Sequence, residues 1–267
     1  MTEKVMLIRH FRDQDNLLYH NDSPIMDEEL PKAKVAATEV EAEFEGISEV
    51  EVFVSNKQRA EMTARTIFGH LNGHVSVSIN VEPRLREIDQ GRYVLPCGYL
   101  PGDNFPPLQE AWAVFFHETF KNGNIYYRFG DPMVGEDDCK YPQLSGHFVE
   151  YGENQIEFSI RFYSFLIDIC KKYKGRRDVL PVIVTHQAVT ARFAEVLSIA
   201  EKYRNGAIII GLVGQLPLLE WGQFEEIRGN RDIFIEYGGV TNFQIDCLYG
   251  FAEVLEKEVD YLKSLIN

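Results

Sequence analysis

The chain has 267 residues, 45% of them hydrophobic and 25% charged, with 41 Asp and Glu against 27 Lys and Arg. Its 18 Phe, 13 Tyr and ordinary apolar background exclude intrinsic disorder, and the composition excludes collagen, coiled-coil and disulfide-scaffold classes. The net charge of −14 repels polyanions at long range, so neither nucleic acid nor an anionic membrane is expected as a partner.

The elements follow in chain order. Val5-Met6-Leu7-Ile8 reads as a buried strand, and Asp27 to Phe44 as a helix with an apolar stripe. Val50 to Val54 is the next strand, followed by a helix over about Lys57 to His70. Ser55 with Gln58 three residues later has the spacing of a capping box at that helix start. Val75 to Val81 alternates like a strand. Gly91 to Gly152 breaks the rhythm with Pro, Gly and aromatic residues and carries one helix near Leu108–Lys121. Asn154 to Lys172 is a long amphipathic helix, Leu180 to Val184 a compact buried strand, and Gln187 to Ile199 a helix. Ala200 to Arg231 is rich in Gly. Asp232 to Tyr237 and Val240 to Leu248 read as two strands around Gly238-Gly239, a hairpin signal. Phe251 to Ile266 closes the chain as a helix.

Strands alternating with helices imply a three-layer α/β/α sandwich around a mostly parallel sheet. The expected organisation is one domain over 1–267, with one insertion over about 91–152 forming a cap over the site and a second over about 200–231. The basic run Lys171 to Arg177 reads as a helix end whose charges complement the dipole. Cys97, Cys139, Cys170 and Cys247 stand far apart, which suggests neither a zinc ribbon nor a redox pair. His70 and His74 are four apart, but Asn72-Gly73 breaks the helix that would align them on a metal. The apolar run at the amino terminus is too short for a signal peptide. The longest apolar candidate, Ala207 to Leu219, is broken by Gly211, Gly214 and Pro217 and falls short of the ~20 residues of a membrane span. A soluble cytoplasmic protein is the expectation.

In open α/β sheets ligands bind beyond the carboxyl ends of the strands. Three of these ends carry unusual polar residues: Arg9-His10 after Ile8, Ser55 to Arg59 after Val54, and Thr185-His186-Gln187 after Val184. Leu85-Arg86-Glu87-Ile88-Asp89 follows the strand ending at Val81. Two arginines match phosphate oxygens with rigid forks of donors, and a neutral imidazole is a nucleophile for phosphorus. A second imidazole can steady the transferring group. Glu87 could protonate a leaving oxygen once burial raises its pKa. This scheme needs no metal or other cofactor.

Leu7-Ile8-Arg9-His10 resembles the signature of the histidine phosphatase superfamily, the phosphoglycerate-mutase-like proteins. Further segments match its pattern in order. They are Asn16, then Asp22-Ser23-Pro24-Ile25 with Lys32-Ala33, then Ser55 with Arg59-Ala60 and Thr63-Ala64. Leu85, Glu87 and Gly91 follow, then Gly152-Glu153 ahead of Arg161, and finally Val182 to His186. The resemblance spans about residues 4 to 195. It implies a phosphoglycerate-mutase-like fold with His10 as the nucleophile that becomes phosphohistidine. It implies a phosphate pocket of Arg9, Arg59 and His186, with Asn16 on the phosphate or leaving group. Glu87 is implied as the proton donor, because the alternative acid position after the second histidine holds Gln187; Asp89 is the reserve. Phe11 stands where the family has glycine, and is expected to narrow the pocket, stack on a substrate ring or impair activity. Gln187-Ala188 replaces a glycine pair, and Asp13 adds an acid that would repel a phosphate dianion.

The implied activity is a metal-independent phosphomonoesterase acting on a small phosphorylated molecule. A phosphoglycerate-type mutase and a weakly catalytic phosphate-binding module are the alternatives, and a homodimer is an admissible assembly. The aromatic residues Trp112, Phe115, Phe116, Phe120, Tyr126, Tyr127 and Phe129 read as packing of the insertion, with a wall for an organic leaving group as the second reading.

Overall fold

The computed structural model describes residues 4–13, 24–71, 73, 75–93, 106–132, 146–204 and 237–266. Strand β1 (Lys4–Arg9) leads through a short 3-10 turn (Asp27–Glu29) into α1 (Leu30–Glu41). Then come β2 (Glu49–Val54), α2 (Gln58–Phe68), β3 (Ser76–Val81), β4 (Arg92–Tyr93), α3 (Pro106–Phe116), β5 (Phe148–Glu150), α4 (Gln155–Tyr173), β6 (Val179–Thr185) and α5 (Gln187–Arg204). Strand β7 (Val240–Gln244) and α6 (Asp246–Ile266) complete the described order.

The sheet runs β3-β2-β6-β1-β7. The β1–β6, β2–β6 and β2–β3 pairs are parallel, and β7 joins β1 antiparallel. Alternation along the strands sends side chains to two cores, the pattern of a sheet covered on both faces. From β1, Val5 and Leu7 join a core with α4, α5 and α6, whereas Met6 and Ile8 join a second core with α1 and α2. In β6, Ile183 faces the first and Val182 and Val184 the second. This is the mixed α/β sandwich with a mostly parallel central sheet that the sequence pattern predicts.

Helix α4 starts at a capping box: Glu157 N–H donates to Asn154 Oδ1 at 2.9 Å, and Asn154 N–H donates back to Glu157 Oε2 at 3.2 Å. On α6, buried Leu248, Phe251, Leu255, Val259 and Leu262 recur at three- and four-residue spacing and bury that face in the first core.

Several boundaries differ from the sequence reading. Helix α2 has Lys57 as its N-cap without a side-chain cap, so Ser55 and Gln58 form no capping box. The strand expected over Val240 to Leu248 ends at Gln244, and α6 starts at Asp246 rather than near Phe251. The acid Asp246 in the first helical turn complements the dipole, and Cys247 and Leu248 already lie on the buried stripe. Helix α5 runs past the expected end at Ile199 to Arg204. Asn16, Asn72, His74, Cys97, Cys139, residues 205–231 and 232–236 lie outside the described residues.

The described part of the first insertion packs against the domain core. Ala111, Val114, Phe115, Tyr127 and Phe129 are buried with Leu85, Ile88 and Phe162 in one cluster, with Trp112 packed against it, so packing holds for these four aromatic residues of the insertion, whereas Tyr126 is exposed. Among the described residues no helix is long and apolar enough to cross a membrane.

Candidate active site

Parallel pairing continues one residue past each strand and brings three segments to one edge. His10 N–H donates to Thr185 O at 3.0 Å, and Ser55 N–H donates to Val184 O at 3.0 Å. The residues after β1, β2 and β6 therefore emerge side by side at the carboxyl edge of the sheet. Arg9, His10 and His186 are buried, with 9%, 6% and 0% of their surface exposed. The His10 and His186 rings stand 4.8 Å apart at 56°.

Hydrogen bonds fix both imidazole tautomers. Arg59 Nε is 3.3 Å from His10 Nε2, and a guanidinium N–H can only donate, so Nε2 carries the lone pair. The other nitrogen, Nδ1, donates to the carbonyl of Phe11 at 2.6 Å. In the same way Arg59 Nη2 donates to His186 Nδ1 at 3.4 Å, and His186 Nε2 donates to Ser55 Oγ at 2.8 Å. One guanidinium thus bridges the free lone pairs of two histidines. Burial, and then the Arg59 guanidinium, hold the His10 pKa down at about 3. Burial, and then the His10 and Arg59 neighbours, push His186 well below its ordinary value. Both imidazoles are therefore neutral near pH 7. Ser55 carries a role that the sequence reading missed: its hydroxyl orients His186 instead of serving as a helix box, although it also accepts from Lys57 N–H at 3.3 Å.

Asp13 lies at the same place. Its Oδ2 is 3.6 Å from Arg59 Nη1 and both side chains are largely buried, so this acid is a counter-charge to Arg59. Phe11 departs from the expectation that it narrows the pocket or stacks on a substrate. Its ring is fully buried in the core with α1 and α2. Its N–H donates to Thr63 Oγ1 at 2.9 Å, and Thr63 in turn donates to Arg59 O at 2.7 Å. The ring lies against Gly238, which has φ +74°; a Cβ there would stand 2.1 Å from Phe11 Cε1. The bulk of Phe11 is accommodated by a glycine on the opposite chain segment.

Glu87 reaches the cradle from the loop after β3. It is half-buried and accepts from Ile88 N–H at 3.1 Å and from Ala188 N–H at the start of α5. Burial raises its pKa, against the opposing pull of those N–H groups and of Arg59 and Arg161. Arg9 and Arg59 both interact electrostatically with it. Asp89, the reserve acid, is exposed and accepts from Gly91 N–H at 3.0 Å, which commits it to the turn. Gln187 opens α5, and its Oε1 is buried without a hydrogen-bond partner among the described residues. Asn16 lies outside those residues.

A buried clamp holds the Glu87 segment. Arg161 on α4 donates to both oxygens of Glu153 at 2.9 and 2.7 Å, and to the carbonyls of Arg84 and Arg86 at 2.6 and 3.0 Å. Glu153 also accepts from Asp89 N–H at 3.3 Å. Gly152 is required by the approach of this loop, because a Cβ would stand 2.1 Å from Asp89 O. Arg161 side-chain exposure is 11% and that of Glu153 is 6%. Replacing Arg161 by Met takes the bidentate partner from a buried carboxylate, leaving it Arg86 at 3.6 Å, and frees two carbonyls; the expected loss of unfolding free energy is about 3 kcal/mol. Urea unfolding measures it; a loss below about 1 kcal/mol, the level of an exposed pair, would show that the clamp does not hold the loop.

Tyr237, just before β7, is the second residue the sequence reading missed. Arg9 Cζ lies 3.8 Å from its ring centroid, and its ring meets the His10 ring edge-on at 5.5 Å and 64°. No local pattern announces it, since its partners are more than two hundred residues away in sequence.

Residues 5–98 match the family model described as histidine phosphatase superfamily, branch 1. The comparison with curated proteins found no match. Among solved structures, a mycobacterial hydrolase is 13% identical, with 90% of this chain and 88% of that chain covered at a TM-score of 0.50. A mycobacterial glucosyl-3-phosphoglycerate phosphatase is 14% identical over 90% and 89%, with a TM-score of 0.48. A phosphoglycerate mutase from Bacillus anthracis is 16% identical over 74% and 82%, with a TM-score of 0.47. At 13% identity the likeness to the mycobacterial hydrolase is one of fold.

Proposed function

We propose that this chain, whose residues 5–98 match the histidine phosphatase family model, is a metal-independent phosphomonoesterase that works through a phosphohistidine at His10. The observation that carries the reading is the tautomer of His10. Its Nδ1 is anchored on the Phe11 carbonyl, and its Nε2 lone pair opens onto Arg59 beside the second histidine. A neutral imidazole with one nitrogen tied and the other presented is a positioned nucleophile.

A phosphate dianion would draw Arg59 off Nε2 onto its own oxygens, exposing the lone pair to phosphorus. Nε2 then forms the P–N bond as the ester P–O bond breaks. Glu87, whose pKa burial raises, gives its proton to the leaving oxygen. Arg9, Arg59 and His186 face the charge spread over the equatorial oxygens. Water next attacks phosphorus, its proton passes to the Glu87 carboxylate, the P–N bond breaks and orthophosphate leaves. The substrate is a small phosphorylated molecule, and the insertion over 91–152 is the segment we assign to capping it.

A pH profile tests this reading in the presence of EDTA with an aryl phosphate. kcat/KM reports the groups of the free enzyme. Activity needs neutral His10, so it falls as pH drops towards about 3. It also needs protonated Glu87, so it falls as pH rises through a carboxyl pKa raised above 4.5. The expected outcome is a bell with its maximum on the acidic side and no sensitivity to the chelator. A flat profile from pH 4 to 9, or turnover abolished by EDTA, would contradict these assignments.

A further inference from the structure

We propose that Tyr237 is a positioning residue of the anion cradle, its ring holding the Arg9 guanidinium plane and the His10 edge where a phosphoryl group meets them. The inference deepens the phosphatase reading and rests on it.

Three observations converge. Arg9 Cζ stands 3.8 Å from the ring centroid, the distance of a face-on stack. The Arg9 side chain also hydrogen-bonds the Tyr237 side chain, so the phenol holds the guanidinium both by its ring and by its hydroxyl. The same ring meets the His10 ring edge-on at 5.5 Å and 64°, so it packs against the imidazole as well as the guanidinium. The exposed Arg12 lies 5.6 Å from the centroid, so one phenol ring stands in reach of an inner and an outer cation.

The ring is itself fixed to the strand it serves. Gly238 N–H donates to Arg9 O at 3.0 Å, and Arg9 N–H donates to Gly239 O at 3.3 Å. The Phe11 ring fills the space over Gly238, where a side chain would collide. Tyr237 thus turns with the backbone of Arg9 and cannot drift from it independently. A long arginine side chain otherwise loses rotamer freedom when it binds an anion, and a ring that orders it beforehand removes that cost.

The test uses orthophosphate as the probe, titrated calorimetrically into the whole protein, with kcat and KM for an aryl phosphate measured in parallel. Tyr237→Leu and Tyr237→Gln remove the ring, and Tyr237→Phe keeps it. Stacked cations lose roughly tenfold in binding when the ring goes, so both ring-removing variants should bind orthophosphate about tenfold more weakly and raise KM. Y237F keeps the ring but loses the hydrogen bond to Arg9, and should weaken by about threefold, less than the ring-removing variants. Thermal midpoints should not move. Unchanged orthophosphate binding in the ring-removing variants overturns the proposal. So does an equal loss in Y237F, which would assign the effect to the hydroxyl, and so does a loss that tracks a fall in thermal midpoint. A wild-type protein that hydrolyses no phosphomonoester would sink the phosphatase reading alone, because the binding series is read without turnover.

Discussion

Replacing His10 by alanine is expected to lower turnover of an aryl phosphate on the order of 10⁴-fold or more while leaving the rest of the cradle standing. The argument is geometric. His10 Nε2 is the one imidazole nitrogen at the site whose lone pair has a partner on its far side fixed by a main-chain carbonyl. His186 shows its Nδ1 to Arg59, but its other nitrogen is tied to a serine hydroxyl that can rotate. On the proposed mechanism the first ring attacks and the second turns towards the developing charge. Loss of His10 removes the atom that forms the P–N bond, whereas Arg9, Arg59 and His186 still face an anion. Orthophosphate binding by the alanine variant should therefore stay within about tenfold of the parent, since one neutral contact is removed and the charged ones remain. Release of the aryl alcohol and calorimetric titration measure the two quantities. A variant keeping a tenth of parental turnover would rule out His10 as the nucleophile, and parental protein without turnover would leave a phosphate-binding module.

Arg59→Ala has the second largest expected effect. One guanidinium contacts both histidines and the Asp13 carboxylate. In the transition state those donors face equatorial oxygens, and losing one such group costs about 10²- to 10³-fold in kcat. The alanine variant carries an additional burden, because Asp13 then sits in the cradle with its counter-charge gone and opposes a dianion. Double substitution Arg59→Ala with Asp13→Asn should therefore restore part of the lost phosphate binding, a non-additive result typical of residues in contact. If the two changes simply add, Asp13 does not face the bound group. Steady-state kinetics and orthophosphate inhibition on the four proteins decide it.

The parts of this site that were legible in sequence share one property: each lies within a few residues of a strand end. Ile8-Arg9-His10, Val54-Ser55 and Val184-Thr185-His186 combine a run of apolar residues with an abrupt polar stop, and parallel pairing does the rest. What was not legible depends on contacts between distant segments. Ser55 obeyed a helix-capping spacing, yet tertiary structure gave its hydroxyl to His186, because a buried imidazole N–H needs an acceptor more than an accessible helix start does. Phe11 looked like an obstacle in a pocket because its complement, Gly238, lies at the far end of the chain. The boundary of α6 was misplaced for a local reason: Phe243 to Leu248 mixes strand-like and helix-like periods, and pairing with β1 stops at Gln244.

The position of β1 in the sheet has a consequence for how the protein comes into being. This strand lies between β6 and β7, so its two hydrogen-bonding flanks are supplied by Met6 pairing with Val182 on one side and Asn242 on the other. Chains are synthesised amino terminus first, and contacts this distant in sequence form late. His10 is therefore made more than two hundred residues before Tyr237 and β7, which complete that side of its surroundings. A nascent chain stalled short of β7 has His10, Arg59 and His186 but lacks the Tyr237 ring that packs on Arg9 and His10.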